Sequence, residues 1–288
     1  MDPVEEPIEP VGPALERNGD TQDRERKPER GARPAARGHR HLLGMRVDAT
    51  DYLEATERIL EMAETGGGMS CIANVHMVME AWDDPGFRRV VNDAELVTPD
   101  GVPLVWSLRA LGIPDASRVY GPDLTPVVCA EAERRGVPVG FLGGTPAVLE
   151  TLCQELKQRF PALEIAFAHS PAWAPAPTAP DTELVQDIED SGAQVLFVGL
   201  GCPKQERWMS VYRESLSCAL VGVGAAFDFL AGEKAQAPAW LQRAGLEWAF
   251  RLACEPRRLW RRYLWHNPRF AWRISQQLRR ARAEVSRA

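Results

Sequence analysis

The chain has no C-x-x-C pair, no phosphate-binding G-x-x-x-x-G-K-[ST] loop, no D-x-D pair beside an apolar run, and no apolar run of the roughly 18 residues needed to span a bilayer. Each absence closes a route. The six cysteines (Cys71, Cys129, Cys153, Cys202, Cys218 and Cys254) are scattered, which argues against a zinc site or a disulfide framework and fits buried thiols in a reducing cytosol. Without a P-loop, nucleotide hydrolysis by that path is not expected. No apolar core follows a basic start at the N-terminus, so no signal peptide is expected. The expectation is therefore a cytoplasmic protein that meets a membrane only peripherally. A net charge of -6 is too mild to suggest a nucleic-acid partner.

What is present divides the 288 residues into three parts. Residues 1–41 are rich in Pro, Glu, Arg and Gly and nearly devoid of large apolar side chains, the composition of a disordered tail. Residues 42–235 alternate short apolar runs with helix-length amphipathic stretches. The runs are Ser70–Ala73, Ala94–Thr98, Val137–Gly140, Leu163–Phe167, Gln194–Gly199 and Ala219–Val223. Between them lie helical patterns such as Asp123–Arg135, Pro146–Phe160, Asp181–Ser191 and Lys204–Ser215, and a Pro-rich loop, Ser170–Pro180. Continuous apolar strands separated by helices predict a mostly parallel sheet covered on both faces, a Rossmann-like three-layer α/β sandwich. Residues 236–288 change character: Trp240, Trp248 and Trp260 stand among many arginines, Pro256 should break or restart a helix, and a basic stretch continues over Phe270–Arg287. This reads as a helical basic appendage outside the sheet. All six expected strands precede Gly232, so the α/β core is expected to fold without it.

In a parallel sheet, ligands bind beyond the carboxyl ends of the strands, and the chemistry-bearing residues follow the apolar runs. Asp100 and Gly101, in Thr98-Pro99-Asp100-Gly101, place a carboxylate at one strand end beside a permissive turn; the alternative is a plain helix cap. Arg118-Val119-Tyr120-Gly121-Pro122-Asp123-Leu124 reads either as a loop at the site or as a loop ending in a cap at Asp123. Gly143 and Gly144 lead a strand into a helix start, where backbone N–H groups can cradle a phosphate, or simply make a tight turn. Gly199-Leu200-Gly201-Cys202-Pro203-Lys204-Gln205-Glu206 superficially recurs to a dinucleotide fingerprint, but Lys204 stands where the third glycine belongs. Gln205 and Glu206 could bind sugar hydroxyls or be a surface pair. Asp228 lies between Phe227 and Phe229 and needs a partner if buried. The arginines of Gly245–Tyr263 suit phosphates, a membrane interface, or an ordinary solvated face.

Taken in order, Asn74, TPDG at Thr98, RVYGPDL at Arg118, FLGG at Phe141, GLGCPKQE at Gly199, GVGAAFDFLAG at Gly222, and GLEWAFRL with EPRRLWRRY from Gly245 resemble the WecG/TagA/CpsF glycosyltransferases over roughly Leu42–Tyr263. The resemblance implies an inverting, metal-independent transferase with no cofactor, a UDP-sugar donor (N-acetylmannosamine, its uronate or a related sugar), and a polyprenyl-diphosphate-linked sugar acceptor. It implies Asp100 as general base and Asn74, Gln205, Arg251, Arg258 and Arg261 as substrate-binding residues; Gly101, Tyr120, Gly143, Gly144, Gly201, Pro203, Glu206 and Asp228 complete the expected substrate-binding set from their own motifs. The arginines would close over the donor diphosphate. Where some members carry a Thr, this chain has Ile72. An appendage bearing Trp260 and Tyr263 would rest on the inner face of the cell membrane, in the service of cell-surface polysaccharide synthesis. A homo-oligomer is left open. Two other classes compete: a nucleotide-cofactor oxidoreductase, disfavoured by the broken fingerprint, and a non-catalytic nucleotide-sugar or lipid-binding protein, disfavoured by the intact Asp100, Gln205 and arginines.

Overall fold

The computed structural model of the chain describes residues 38–285. The expected tail lies outside the described residues up to Arg37. Its expected end is corrected: His39–His41 already pair in a strand, so ordered structure begins ahead of Leu42.

That strand, β1 (His39–Leu42), forms an antiparallel hairpin with β2 (Met45–Asp48). The hairpin turns through Leu43 and Gly44, both at positive φ. Sequence reading missed the hairpin because its strands are short and carry His and Arg. It docks beside β4 (Leu96–Pro99), where the buried Asp48 carboxylate accepts the Val97 N–H at 2.7 Å.

The main sheet has six strands, all parallel, in the order β4, β3 (Gly68–Ala73), β8 (Ala219–Gly222), β7 (Val195–Gly199), β5 (Val139–Gly143) and β6 (Ile165–His169). The six expected runs are these strands, with ends shifted by up to three residues. The sheet is covered on both faces, and strand alternation separates two helical layers. Leu196 and Val198 of β7 join one apolar cluster, while Val195 and Phe197 join the other. The first layer holds α2 (Val75–Asp83), α3 (Pro85–Asn92), α4 (Val102–Ala110), α7 (Thr182–Ser191) and α8 (Lys204–Tyr212). The second holds α1 (Tyr52–Glu64), α5 (Gly121–Arg135), α6 (Pro146–Arg159) and α9 (Ala226–Leu230). This is the three-layer sandwich the apolar pattern called for.

Beyond it come α10 (Ala239–Arg243), α11 (Glu247–Cys254) and α12 (Pro256–Val285). Helix α12 restarts at Pro256, whose missing N–H costs nothing in a first turn. It passes through Pro268, which removes one internal hydrogen bond without ending the helix. The helices beyond Gly232 pack against the core that was expected to fold without them. Phe270 and Ile274 of α12 are buried in the first core cluster. Gln277 also binds the hairpin from both sides of its amide: Oε1 accepts the Leu43 N–H at 2.9 Å and Nε2 donates to the His41 carbonyl at 2.7 Å.

Candidate active site

A cavity of about 560 Å³ opens between the carboxyl ends of β3 and β4, helix α4, and helices α11 and α12. Its polar end is lined by Asn74, Asp100, Arg118, Glu247, Arg251 and Arg262. Its other end is apolar, with Val102, Trp106 and Ala110 facing Phe270, Ile274 and Leu278. The contrast follows from the fold. Loops at the strand ends deliver Asn74, Asp100 and Arg118, α11 and the start of α12 deliver Glu247, Arg251 and Arg262, and α4 with the later turns of α12 supplies the apolar walls.

Asp100 follows β4 directly, and its backbone N–H donates to the Ala73 carbonyl at 2.8 Å, which registers the loop against β3. It does not cap α4: the cap position is Gly101 and no side chain serves it. Arg118 grips the residue instead, with Nε donating to the Asp100 carbonyl at 2.5 Å and Nη2 to carboxylate Oδ1 at 3.2 Å. The same Nη2 reaches Glu247 Oε2 at 2.6 Å, and Nη1 donates to Gln242 Oε1 at 3.3 Å. Arg118 thus ties the β4 end to α10 and α11. Its guanidinium lies over the Tyr120 ring, 4.2 Å from the centroid, so Tyr120 supports the arginine from below.

Burial pushes the Asp100 carboxyl above the usual carboxylate range; Arg118 opposes this, while Glu247 adds to it. A carboxylate raised in this way is a better proton acceptor than a solvated one. Burial works against the Arg118 charge, but Asp100 and Glu247 outweigh it and hold the guanidinium ionised. Arg251 lies over the Phe229 ring at 5.2 Å. Arg262 Nη2 donates to Asn74 Oδ1 at 3.4 Å, and its Nε is buried without a partner. Asn74 also caps α2 by accepting the Met77 N–H at 3.3 Å.

Of the residues expected at the site, Asn74, Asp100, Gly101 and Arg251 line this cavity, and Tyr120 lies beneath Arg118. The others take different places. Arg258 and Arg261 are exposed, with Arg258 ion-paired to Glu255, and it is Arg262 that faces the cavity. Tyr263 is also turned inward, buried against Trp248 at 6.0 Å between ring centroids, so it does not face a membrane. Trp260 is exposed, as are Trp240, Trp265 and Trp272.

Gly143, Gly144, Gly201, Pro203, Gln205, Glu206 and Asp228 follow β5, β7 and β8 along the same sheet edge, outside the lining of this cavity. Gly143 requires its glycine, because at φ +126° a Cβ would fall 2.6 Å from the Gly199 carbonyl oxygen. Gln205 is a buried brace: Oε1 accepts the Gly201 and Gly224 N–H groups at 3.1 and 3.0 Å, and Nε2 donates to Glu206 Oε1 at 2.8 Å. Glu206 is fully buried, and burial pushes its carboxyl up to about 7. Asp228 has the partner its setting demanded, with Lys234 Nζ at 2.8 Å.

The residues that sequence reasoning did not single out are Glu247, Arg262, Trp106 and His76. Arg118 was quoted within its motif but given no role. Arg262 flanks the buried stripe of α12, next to Tyr263 and three residues after Leu259, and only the docked phase of that helix turns it to the cavity.

A buried carboxylate and a set of guanidinium groups thus converge at the carboxyl edge of a parallel sheet, an arrangement suited to a ligand that carries anionic charge. The chain belongs to the glycosyl transferase WecG/TagA/CpsF family, whose sequence model matches residues 40–284. It is 32% identical, over 199 residues, to an N-acetylglucosaminyldiphosphoundecaprenol N-acetyl-beta-D-mannosaminyltransferase of Bacillus spizizenii, covering 69% of this chain and 75% of that protein.

Proposed function

We propose that this glycosyltransferase moves an N-acetylmannosamine-type sugar from a UDP-sugar onto the sugar of a polyprenyl-diphosphate-linked acceptor, with inversion and without a divalent metal at the diphosphate. The observation that carries the reading is the convergence of Asp100, Arg251 and Arg262 on one cavity that continues into an apolar trough. The Bacillus relative, named for a diphosphoundecaprenol-linked acceptor and a mannosaminyl group, supports the substrate pair.

An acceptor hydroxyl is a weak nucleophile. Asp100 removes its proton as the new C1–O bond forms and the bond to UDP breaks on the opposite face of the sugar. UDP departs with growing negative charge, which Arg251 and Arg262 meet as a metal ion would elsewhere. Arg118 holds Asp100 in place and stays ionised between its two carboxylates. The apolar walls at Trp106, Phe270 and Ile274 suit the first units of a prenyl chain. No described helix is long and apolar enough to cross a membrane. The exposed tryptophans and the exposed Arg257, Arg258 and Arg261 suit an interfacial contact with anionic lipid.

The test is UDP release by the purified chain from UDP-N-acetylmannosamine, with and without a short-chain polyprenyl-diphosphate N-acetylglucosamine, followed by mass spectrometry of the lipid product. Release that depends on the acceptor, a product heavier by one sugar, and no gain from added Mg²⁺ or Mn²⁺ are expected. Release indifferent to the acceptor, or a strict Mg²⁺ requirement, would refute the reading.

A further inference from the structure

Where α12 crosses α2, three metal-binding side chains meet that the reaction above does not use. His76 and Glu80 stand one turn apart on α2, and His266 comes from α12. Nε2 of His76 lies 3.3 Å from Glu80 Oε1, and Nε2 of His266 lies 3.7 Å from the same oxygen. The rings meet edge to face at 5.2 Å. One donor atom from each of the three falls within 4.8 Å of the other two.

Both imidazoles aim Nε2 at the same oxygen of Glu80. A cation among them would take both Nε2 lone pairs and the carboxylate together, with the ring protons carried on the buried Nδ1 atoms. Tetrahedral zinc at about 2.1 Å sets its ligand atoms roughly 3.4 Å apart. The His76–Glu80 separation already has that value, His266 lies 3.7 Å from the same carboxylate oxygen, and all three donor atoms fall within 4.8 Å of one another, so a modest shift of the His266 ring completes the set. Two imidazoles and one carboxylate suit zinc and its late transition-metal neighbours rather than Mg²⁺ or Ca²⁺, which prefer oxygen. The surrounding charge permits a cation: Arg269 is neutralised by Asp83, which accepts from both of its Nη atoms, and Arg262 is turned toward Asn74.

We propose that His76, Glu80 and His266 form a zinc-type site that fastens α12 to α2, holding Arg262 and Tyr263 in the cavity wall. The ion is a clasp between helices at the rim of the cavity, where His76 belongs to the lining, and takes no part in the proposed sugar transfer.

The experiment uses the full chain, stripped with a chelator and titrated with Zn²⁺ against a chromophoric competitor, with thermal unfolding in parallel. One Zn²⁺ per chain is expected, with a melting temperature raised by about 5 °C at a hundredfold excess over Kd; Mg²⁺ should produce no rise. His266→Ala and Glu80→Gln should each abolish binding and the rise, whereas His39→Ala/His41→Ala, at the exposed histidine pair of β1, should leave both intact. Co²⁺ in place of zinc should give the visible bands of tetrahedral coordination, a readout available even if one variant folds poorly. Absence of stoichiometric binding by the wild-type chain, or binding that survives in both His266→Ala and Glu80→Gln, would overturn the proposal.

Discussion

Arg118 holds Asp100 at two points, the backbone carbonyl at 2.5 Å and carboxylate oxygen Oδ1 at 3.2 Å. A guanidinium that fixes both the main chain and the side chain of one residue leaves the carboxylate little freedom to rotate. In the proposed mechanism its second oxygen takes the substrate proton.

Asp100→Asn should therefore fold and bind UDP normally yet lower turnover by about 10²–10⁴-fold, the usual worth of a general base. In the native enzyme, kcat/KM should fall on the acid side of an apparent pKa lying above the ordinary carboxylate range, because burial raises that of Asp100. The measurement is UDP release across pH for both proteins. A variant retaining most of its activity would remove Asp100 from the reaction.

The arginines of the C-terminal helices should separate into two groups. Arg251→Ala and Arg262→Ala remove charge facing the cavity and should each lower turnover on a short-chain acceptor by about 10²-fold or more. Arg258→Ala and Arg261→Ala remove exposed charge and should leave that turnover nearly unchanged. Each should weaken binding to anionic liposomes by about 1 kcal/mol. Flotation run beside the turnover assay distinguishes the groups.

Glu206 sets a pH dependence of stability. Its carboxyl is raised to about 7 in the folded chain, against an ordinary value near 4.5. Between those values the folded state holds a proton that the unfolded state has lost, so stability should decline as pH rises through the interval. Glu206→Gln should flatten this decline, read as melting temperature against pH. A parallel decline in both proteins would assign it to another group.

Truncation after Gly232 should do more than abolish turnover. All strands of the sheet remain, but the surface that received Phe270 and Ile274 is uncovered, so the fragment should bind a hydrophobic dye and melt several degrees lower. Gln277→Ala is the milder form. It loses two hydrogen bonds to the hairpin and should cost about 1–2 kcal/mol in urea unfolding.

The sheet was legible because its strands are unbroken apolar runs, buried on both faces, which few other structures accommodate. Asp100 was legible because the residue after a parallel strand has to stand at the binding edge, whereas Asn74 came only with the family resemblance. Arg262 was not legible. Four arginines lie within Arg257–Arg262, and only the phase of α12, set by where Phe270 and Ile274 meet the core, decides which one turns inward. Tyr263 was read as facing lipid for the same reason: aromatic and basic residues alternate there without naming a face. Glu247 was hidden more deeply, since its partner Arg118 is 129 residues away and no local pattern links them. The hairpin escaped because paired ends, rather than apolar content, define it.

The Gln277 bonds join residues separated by 234 and 236 positions. During synthesis the hairpin leaves the ribosome early, and the helix that clasps it arrives only after the whole sheet has been made. The cavity shares that timetable, because β3 and β4 supply its polar floor and α12 its opposite wall. A nascent chain stalled before α12 lacks the wall that carries Arg262, Phe270 and Ile274, so the cavity is enclosed only once the last helix has been made.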